Sequence, residues 1–303
     1  MATDGLLVID KPAGPTSHDV VQRVRRLLGT RRVGHGGTLD PDATGVLLVA
    51  AGRATRFLPY LSAGRKVYEG RIRLGFATDT CDASGRPVSE ASFDFPSAAG
   101  LAAAMGSFEG LILQTPPRFS AKKLRGRPGY ERARAGEEFS LEPVSVTVAR
   151  FVARGYDPPF VAFEAECSSG TYVRSLAHDL GARLGCGAHL AELRRTAVGT
   201  YGLAEAVPLA GLEDAAAGGE ADRYVLPLER LLPWAPAATV LPGAEARVRN
   251  GSHLEPAHLA GPLPCPIPRE TPLVRLFDGS GRLLALARPS PEGGRLLPFL
   301  VVM

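Results

Sequence analysis

The stretch Val33-Gly34-His35-Gly36-Gly37-Thr38-Leu39-Asp40-Pro41-Asp42-Ala43-Thr44-Gly45 constrains this chain more than any other. Glycine inside a helix or strand loses backbone entropy and packs nothing, and a residue before proline is pushed out of the helical region. The stretch therefore reads as a loop held open for a ligand. Behind it, Val46-Leu47-Leu48-Val49-Ala50-Ala51 is short, unbroken and partly β-branched, which predicts a buried strand. A carboxylate on a loop backed by a rigid strand is a common seat of chemistry.

The chain has 303 residues, 45% of them hydrophobic and 22% charged, enough for one large domain with a real core and a small second one. No apolar run approaches the ~18 residues that a membrane span needs. The start, Met1-Ala2-Thr3-Asp4, lacks the basic and apolar regions of a signal peptide, so a cytoplasmic protein without membrane contact is expected. Cys81, Cys167, Cys186 and Cys265 lie far apart with no Cys-x-x-Cys pair, which suggests buried thiols and neither a zinc site nor a disulfide framework. The net charge of +4 carries little weight by itself. Lysine, however, occurs only at 11, 66, 122 and 123, so the positive charge is nearly all arginine, whose planar guanidinium suits phosphates and stacked bases. Genome composition produces the same excess.

Along the chain, Leu6 to Ile9 predicts a strand. Thr16 or Ser17 can then cap a helix with Asp19 in its first turn, apolar residues from Val20 to Leu28 and a stop at Gly29. Ala54 to Leu61 predicts a short helix. From Val67 to Gly75 the residues alternate, with Tyr68, Gly70, Ile72 and Leu74 on one face, so the Tyr68 phenol points inward and needs a polar partner. Thr78 to Gly85 is rich in turn formers, and Leu101, Ala104, Met105 and Phe108 mark a helix. Between Pro116 and Arg132, basic residues alternate with aromatics and glycines, the pattern of a mobile arm that orders on nucleic acid. Two strands, Val144 to Val152 and Val161 to Cys167, lead to Ser169-Gly170-Thr171-Tyr172-Val173-Arg174, where period two gives way to a helix closed by Gly185. Such a strand-to-helix junction offers free N–H groups, a phenol and a guanidinium together. Gly211 to Asp222 reads as a mobile surface segment, and Pro227, Pro233 and Pro236 mark a boundary. Beyond it, residues 247–251, 273–277, 283–287 and 296–302 read as short strands of a small β-rich module, with a hairpin turn at Asp278 to Gly281.

The central loop, Tyr68, the Ser169 to Arg174 junction and Leu193-Arg194-Arg195-Thr196, in this order and at these separations, resemble the bacterial tRNA pseudouridine synthase B (TruB) family. Further matches run from Leu7-Val8-Ile9-Asp10-Lys11-Pro12 to Gly185-Cys186-Gly187-Ala188-His189, dense over roughly residues 5 to 205 and weak in the tail. The resemblance implies an α/β fold of the α+β type: a catalytic domain over 1–233 on a mixed, mostly antiparallel sheet, an RNA-binding arm at 114–138, and a PUA-like module at 237–303. It implies isomerisation of the T-loop uridine at tRNA position 55 without cofactor or metal, by a monomer that needs no protein partner beyond the tRNA T-arm. By the same matching Asp40 is the catalytic aspartate, Arg174 its basic partner, and Tyr68 the tyrosine stacked on the base and implicated in removing the C5 proton. Tyr172 and Leu193 are pocket walls, His35 sits near the extruded nucleotide, and Lys123, Arg125 and Tyr130 belong to the arm. Lys11 is a binding candidate, with a structural or RNA-backbone role ahead of a catalytic one. Two positions depart from the pattern: Asp42, where the family has an apolar residue, and Phe119, where the arm has a tyrosine. Asp42 is expected to face solvent or an arginine, since pointing inward it would raise the pKa of Asp40.

Two other readings compete. Asp40-Pro41-Asp42-Ala43-Thr44 also looks like the magnesium-holding Asp-x-Asp-x-Thr loop of haloacid-dehalogenase-type phosphatases, but that loop follows a hydrophobic strand, whereas Gly34-His35-Gly36-Gly37-Thr38 precedes this one. A non-catalytic RNA-binding protein would account for the arm and tail and leave Asp40, Tyr68 and Arg174 unexplained.

Overall fold

The computed structural model describes residues 4–120, 122–124, 126–262, 272–290 and 294–302, with the side chains of Lys123, Leu124 and Pro128 left aside. The apolar runs near the N-terminus form its centre. Strand β1 (Gly5–Lys11) lies antiparallel to β3 (Thr44–Ala51), and both are buried on both faces, which is why they read as unbroken hydrophobic runs. Leu7, Ile9, Leu47 and Val49 point toward the layer of helices, while Leu6, Val8, Val46 and Leu48 point the other way, toward the C-terminal tail.

The sheet grows outward from this pair. Helix α1 (Ser17–Leu27) starts at a capping box in which Thr16 accepts from the Asp19 backbone and the Asp19 carboxylate accepts from that of Thr16. The first part of the expected loop is instead a strand, β2 (Val33–Gly36), because its backbone pairs with the end of β3 from Gly36↔Leu48 to Val33↔Ala51. The loop proper is 37–43. The segment predicted as one helix after β3 is a 3₁₀ turn, Gly52–Phe57, followed by a single α-turn, α2 (Leu58–Leu61). Strand β4 (Lys66–Leu74) buries Lys66, Tyr68, Ile72 and Leu74 on one face. Helix α3 (Ala98–Gly106), edge strand β5 (Gly110–Gln114), the arm with β6 (Lys123–Leu124), β7 (Arg127–Pro128) and α4 (Gly129–Arg134), and the long strands β8 (Val144–Asp157) and β9 (Phe160–Cys167) follow. Helix α5 (Val173–Leu184) ends at Gly185 in the left-handed conformation, φ 76°, and feeds β10 (Ala188–Val198). Two short strands, β11 (Tyr201–Gly202) and β12 (Val207–Pro208), complete a ten-stranded mixed sheet among the described residues, in the order β12-β1-β3-β10-β4-β9-β8-β5, with β2 on β3 and β11 on β10. Only β1–β12 and β3–β10 are parallel, so the sheet is mostly antiparallel as expected.

Two segments correct the sequence reading. Residues 211–222 are not a loose surface segment: α6 (Leu209–Ala217) buries Leu209, Leu212 and Ala215 against α1 and β1, and small residues there allow close approach. In the tail, residues 247–251 are not a strand, since α7 (Glu245–Arg249) turns Val248 into the core of the small domain. The remaining tail strands stand as expected: β14 (Val274–Phe277), β15 (Leu283–Pro289) and β16 (Leu296–Val301), joined by the unforeseen parallel β13 (Ala237–Thr239). Leu273, Leu283, Leu286 and Leu300 share one cluster with Leu6, Val8 and Leu48, so the tail packs on the face of β1 and β3 that the helices leave free.

The second edge of β3 is divided. Thr44 and Gly45 pair with Arg194 and Arg195 of β10, while Leu48 to Ala51 pair with β2, and the loop 37–43 emerges where the two partners part. Gly45 at this fork has φ +99°, and a Cβ there would lie 2.1 Å from the Arg195 carbonyl oxygen. Lys11, fully buried, donates from Nζ to the carbonyls of Pro12, Pro41 and Ala43, each at 2.8 Å. Burial lowers its pKa to about 8, which leaves the ammonium protonated at neutral pH. Ser17 Oγ donates to the Leu39 carbonyl at 3.1 Å and accepts from the Leu39 N–H at 2.9 Å. These bonds, with the burial of Leu39 and Ala43 in the core, fix the loop.

Gly45→Ala is expected to cost about 3 kcal/mol of unfolding free energy, read from the urea midpoint, because backbone must move to admit one methyl group. Lys11→Met, which removes the donor from the buried Ala43 carbonyl and unties the loop at Pro12 and Pro41, should cost about 2 kcal/mol by the same measurement.

Candidate active site

The ties on Leu39, Pro41 and Ala43 aim Asp40 at the first turn of α5. There the Arg174 guanidinium grips its carboxylate with two donors, Nε to Oδ2 at 2.9 Å and Nη2 to Oδ1 at 3.2 Å, the geometry of strong charge-assisted pairs. A cation in the first turn of a helix works against the helix dipole. Arg174 is offset by a second carboxylate, Asp82 Oδ2 at 3.4 Å from Nη1, and by the carbonyls of Thr80 and Phe119 at 3.2 and 2.9 Å. Phe119 thus keeps a polar contact through its backbone despite lacking the family's hydroxyl. The Arg174 side chain is 8% exposed and that of Asp40 41%, so the arginine is anchored and the carboxylate stays open to a ligand. Burial raises the Asp40 pKa above the ordinary 3.8; Arg174 pulls it back, and Asp82 and Asp42 push it up. Asp42 itself is exposed, as expected.

Asp40 stands between two cavities that share Thr38, Leu39, Arg174 and Leu193. The larger, about 690 Å³, takes in His35, Asp82, Ser120, Tyr130 and Arg134; the smaller, about 280 Å³, has Lys66, Tyr68, Tyr172 and Arg195 in its walls. The structure therefore brings Asp40, Arg174, Tyr68, Tyr172, Leu193, His35 and Tyr130 to one locus. His35, on β2, has its Nδ1 buried without a hydrogen-bond partner, and burial lowers its pKa, favouring a neutral ring. Tyr172 is held at the start of α5 by the buried Gln114 side chain, which accepts from the Tyr172 N–H at 2.7 Å and donates to its carbonyl at 3.1 Å. Lys11 is a correction: with no exposed surface and three protein acceptors it braces the loop and is closed to a ligand. Arg125 and the Lys123 side chain lie outside the described residues, as does Cys265. The Cys167 and Cys186 thiols are buried, as expected, and Cys81 is half-buried.

Four contributors went unread in the sequence: Asp82, Gln114, Lys66 and Arg195. Asp82 sat in a segment full of turn-forming aspartates. Arg195 carried one usable signal, because adjacent residues of a strand face opposite ways, so one member of Arg194-Arg195 has to point inward. Arg194 pairs with Asp10 at 2.7 Å, and Arg195 places its guanidinium beside the inward-facing Tyr68 phenol.

The chain that carries this site is similar to known proteins. The TruB family pseudouridylate synthase N-terminal domain matches residues 25–173, and the tRNA pseudouridylate synthase B C-terminal domain matches residues 174–233. Curated relatives named tRNA pseudouridine synthase B from Thermobifida fusca, Solibacter usitatus and Burkholderia mallei are 47%, 46% and 42% identical, over 94%, 82% and 100% of this chain and 94%, 85% and 98% of their own. Among solved structures, one of an H/ACA ribonucleoprotein bound to a substrate RNA containing 2′-deoxyuridine matches with a TM-score of 0.75 at 28% identity, over 99% of this chain and 85% of that one. An archaeal box H/ACA Nop10–Cbf5 complex matches with 0.74 at 29%, over 99% and 86%. These likenesses set aside the phosphatase reading. The chain belongs to the TruB family of pseudouridylate synthases.

Proposed function

We propose that this pseudouridine synthase isomerises the T-loop uridine of tRNA at position 55, with Asp40 as the ionised nucleophile and without a cofactor. The observation that carries the reading is the two-donor Arg174–Asp40 pair at the meeting point of two cavities, with Tyr68 in the wall of the smaller one. The curated relatives are named as tRNA enzymes, which supports tRNA as the substrate, and a structural neighbour is bound to a substrate RNA containing 2′-deoxyuridine, which supports a uridine in RNA as the target.

The isomerisation breaks C1′–N1, turns the base and forms C1′–C5; C5 loses a proton and N1 gains one. An ionised carboxylate can open the sugar carbon in such a sequence and be released at its end. Extruding the nucleotide costs a few kcal/mol of stacking, which an aromatic wall recovers in part. In this reading Tyr68 stacks on the base beside C5 and takes part in the removal of its proton, Tyr172 and Leu193 wall the pocket, and His35 occupies space near the extruded nucleotide. Phe119, Ser120, Tyr130 and Arg134 already line the larger cavity, which supports an RNA-closing role for the 114–138 arm, with Lys123 and Arg125 as further contacts. Residues 1–233 form the catalytic domain and 237–303 a PUA-like RNA-binding module. The enzyme works on the T-arm as a cytoplasmic monomer without an obligate protein partner.

The test is incubation with an unmodified tRNA transcript, folded beforehand and then held in chelator, followed by carbodiimide labelling and primer extension. A stop at the T-loop uridine is expected, and Asp40→Asn should slow its appearance about 1,000-fold or more while tRNA affinity stays within about threefold. Loss of binding as well would make Asp40 a structural residue. Because only the carboxylate form reacts and the Asp40 pKa is raised, the single-turnover rate should fall with acidification at a pH above 3.8. A rate that holds down to 3.8 or below would contradict Asp40 as the titrating nucleophile.

A further inference from the structure

The smaller cavity has two buried cations beneath it whose recorded partners are all neutral. Arg195, 1% exposed, donates from Nε to the Val46 carbonyl at 2.7 Å and from Nη2 to the Gly37 carbonyl at 3.1 Å, and it lies beside the Tyr68 phenol. Lys66, 6% exposed, donates from Nζ to the Ser62 carbonyl at 2.9 Å, which occupies one of the three donors of an ammonium. The strand register explains their closeness. Arg195 of β10 lies directly across from Tyr68 of β4, and Lys66 is two residues from Tyr68 on the same face. Arg174, by contrast, has two carboxylates.

Burying a charge without a counter-charge is costly, so a buried pair of cations calls for an anion that the resting protein does not supply. The nearby acidic groups are poor candidates: the Asp40 carboxylate, in the wall of the same cavity, is already gripped by Arg174. Burial raises the pKa of the Tyr68 phenol and moves that of the Cys167 thiol, across the sheet from Lys66, up to about 11, so both are neutral at pH 7. The proposed reaction does generate an anion in this place. When C1′–N1 breaks against Asp40, the bonding electron pair stays on the base, and its negative charge spreads over N1, O2 and O4. It is discharged when C5 bonds to C1′, the carboxylate leaves, C5 gives up its proton and N1 takes one.

We infer that Lys66 and Arg195 bind the carbonyl oxygens of the detached uracil anion and so stabilise the transition state for breaking the glycosidic bond. The inference rests on the reading of the smaller cavity as the uridine pocket. Its volume of about 280 Å³ is near the lower end for small-ligand sites, ~300–1,000 Å³. Donors that meet charge only as it develops contribute about 100-fold or more to rate. Lys66 is the residue to test, because Arg195 also supports the fork of the sheet.

Single-turnover rates on prefolded unmodified tRNA are measured for the full chain, Lys66→Met and Lys66→Arg from pH 6 to 9.5, with tRNA affinity in parallel. Lys66→Met should react about 100-fold more slowly with affinity within threefold, and Lys66→Arg should recover most of the rate. Burial beside Arg195 lowers the Lys66 pKa to about 8, so the wild-type rate should fall as pH rises through that value. The limb should vanish in Lys66→Met and move higher in Lys66→Arg. Arg195, Tyr68 and Cys167 are the other titratable groups facing Lys66: burial lowers the Arg195 guanidinium from its ordinary value, raises the Tyr68 phenol and moves the Cys167 thiol up to about 11. Lys11, under the Asp40 loop, also lies at about 8, and a limb that it supplied would persist in Lys66→Met. A Lys66→Met rate within threefold of wild type, or a slow Lys66→Met that keeps the limb, overturns the inference. Should Lys66→Met fail to fold, the absence of a wild-type limb near 8, or a limb unmoved in Lys66→Arg, overturns it equally. A wild-type protein that leaves the T-loop uridine unmodified refutes instead the reading beneath it.

Discussion

The Arg195 guanidinium fills the place where the sheet divides. Strand β3 has β10 beside its first residues and β2 beside its last, and a sheet that changes partners along one edge leaves backbone carbonyls facing the gap. Arg195 satisfies those of Val46 and Gly37 with one planar, multi-donor group. Gly45 lets the two strands approach closely enough for this to happen. Without the division, β2 and β3 would be a plain hairpin and Asp40 a turn residue.

The same division separates two electrostatic environments. On one side of Asp40, Arg174 is shared by two carboxylates, with Asp42 nearby at the surface. On the other, Lys66 and Arg195 face a cavity with neutral partners only. A low-dielectric interior makes such differences count for more than they would in water. The arrangement suits a reaction in which charge leaves the carboxylate, passes to a base and returns.

The tail is part of the same design. Because β1 and β3 are apolar on both faces, helices alone could not cover them, and Leu273, Leu283, Leu286 and Leu300 pack on the side opposite α1 and α6. Arg53 and Arg56, directly after β3, donate to the carbonyls of Val302 and Val301. The strand that carries the site loop is therefore held from both sides.

Much of this was legible in the chain. Local rules suffice for β1, for α1 with its Thr16 and Asp19 box, for α5 closed by Gly185, and for the alternation that turns Tyr68 inward, because each depends on neighbours within a few residues. The ordered spacing of Asp40, Tyr68 and Arg174 likewise sufficed to single them out. Residues 211–222 look unstructured in the sequence because small and acidic residues order only when Leu212 has α1 and β1 to pack against, and Val33 to Gly36 because a glycine-rich segment becomes a strand only when another strand accepts it. Asp82, Lys66 and Arg195 had no local signature, since their roles arise from contacts across the sheet and between loops, as the Arg174–Asp40 pair itself spans 134 residues of sequence. The sequence by itself determined the helices and strands whose signals are local and singled out Asp40; only the tertiary structure decided which weakly patterned segments become ordered and which charges are paired, because both are matters of burial and distance between segments remote along the chain.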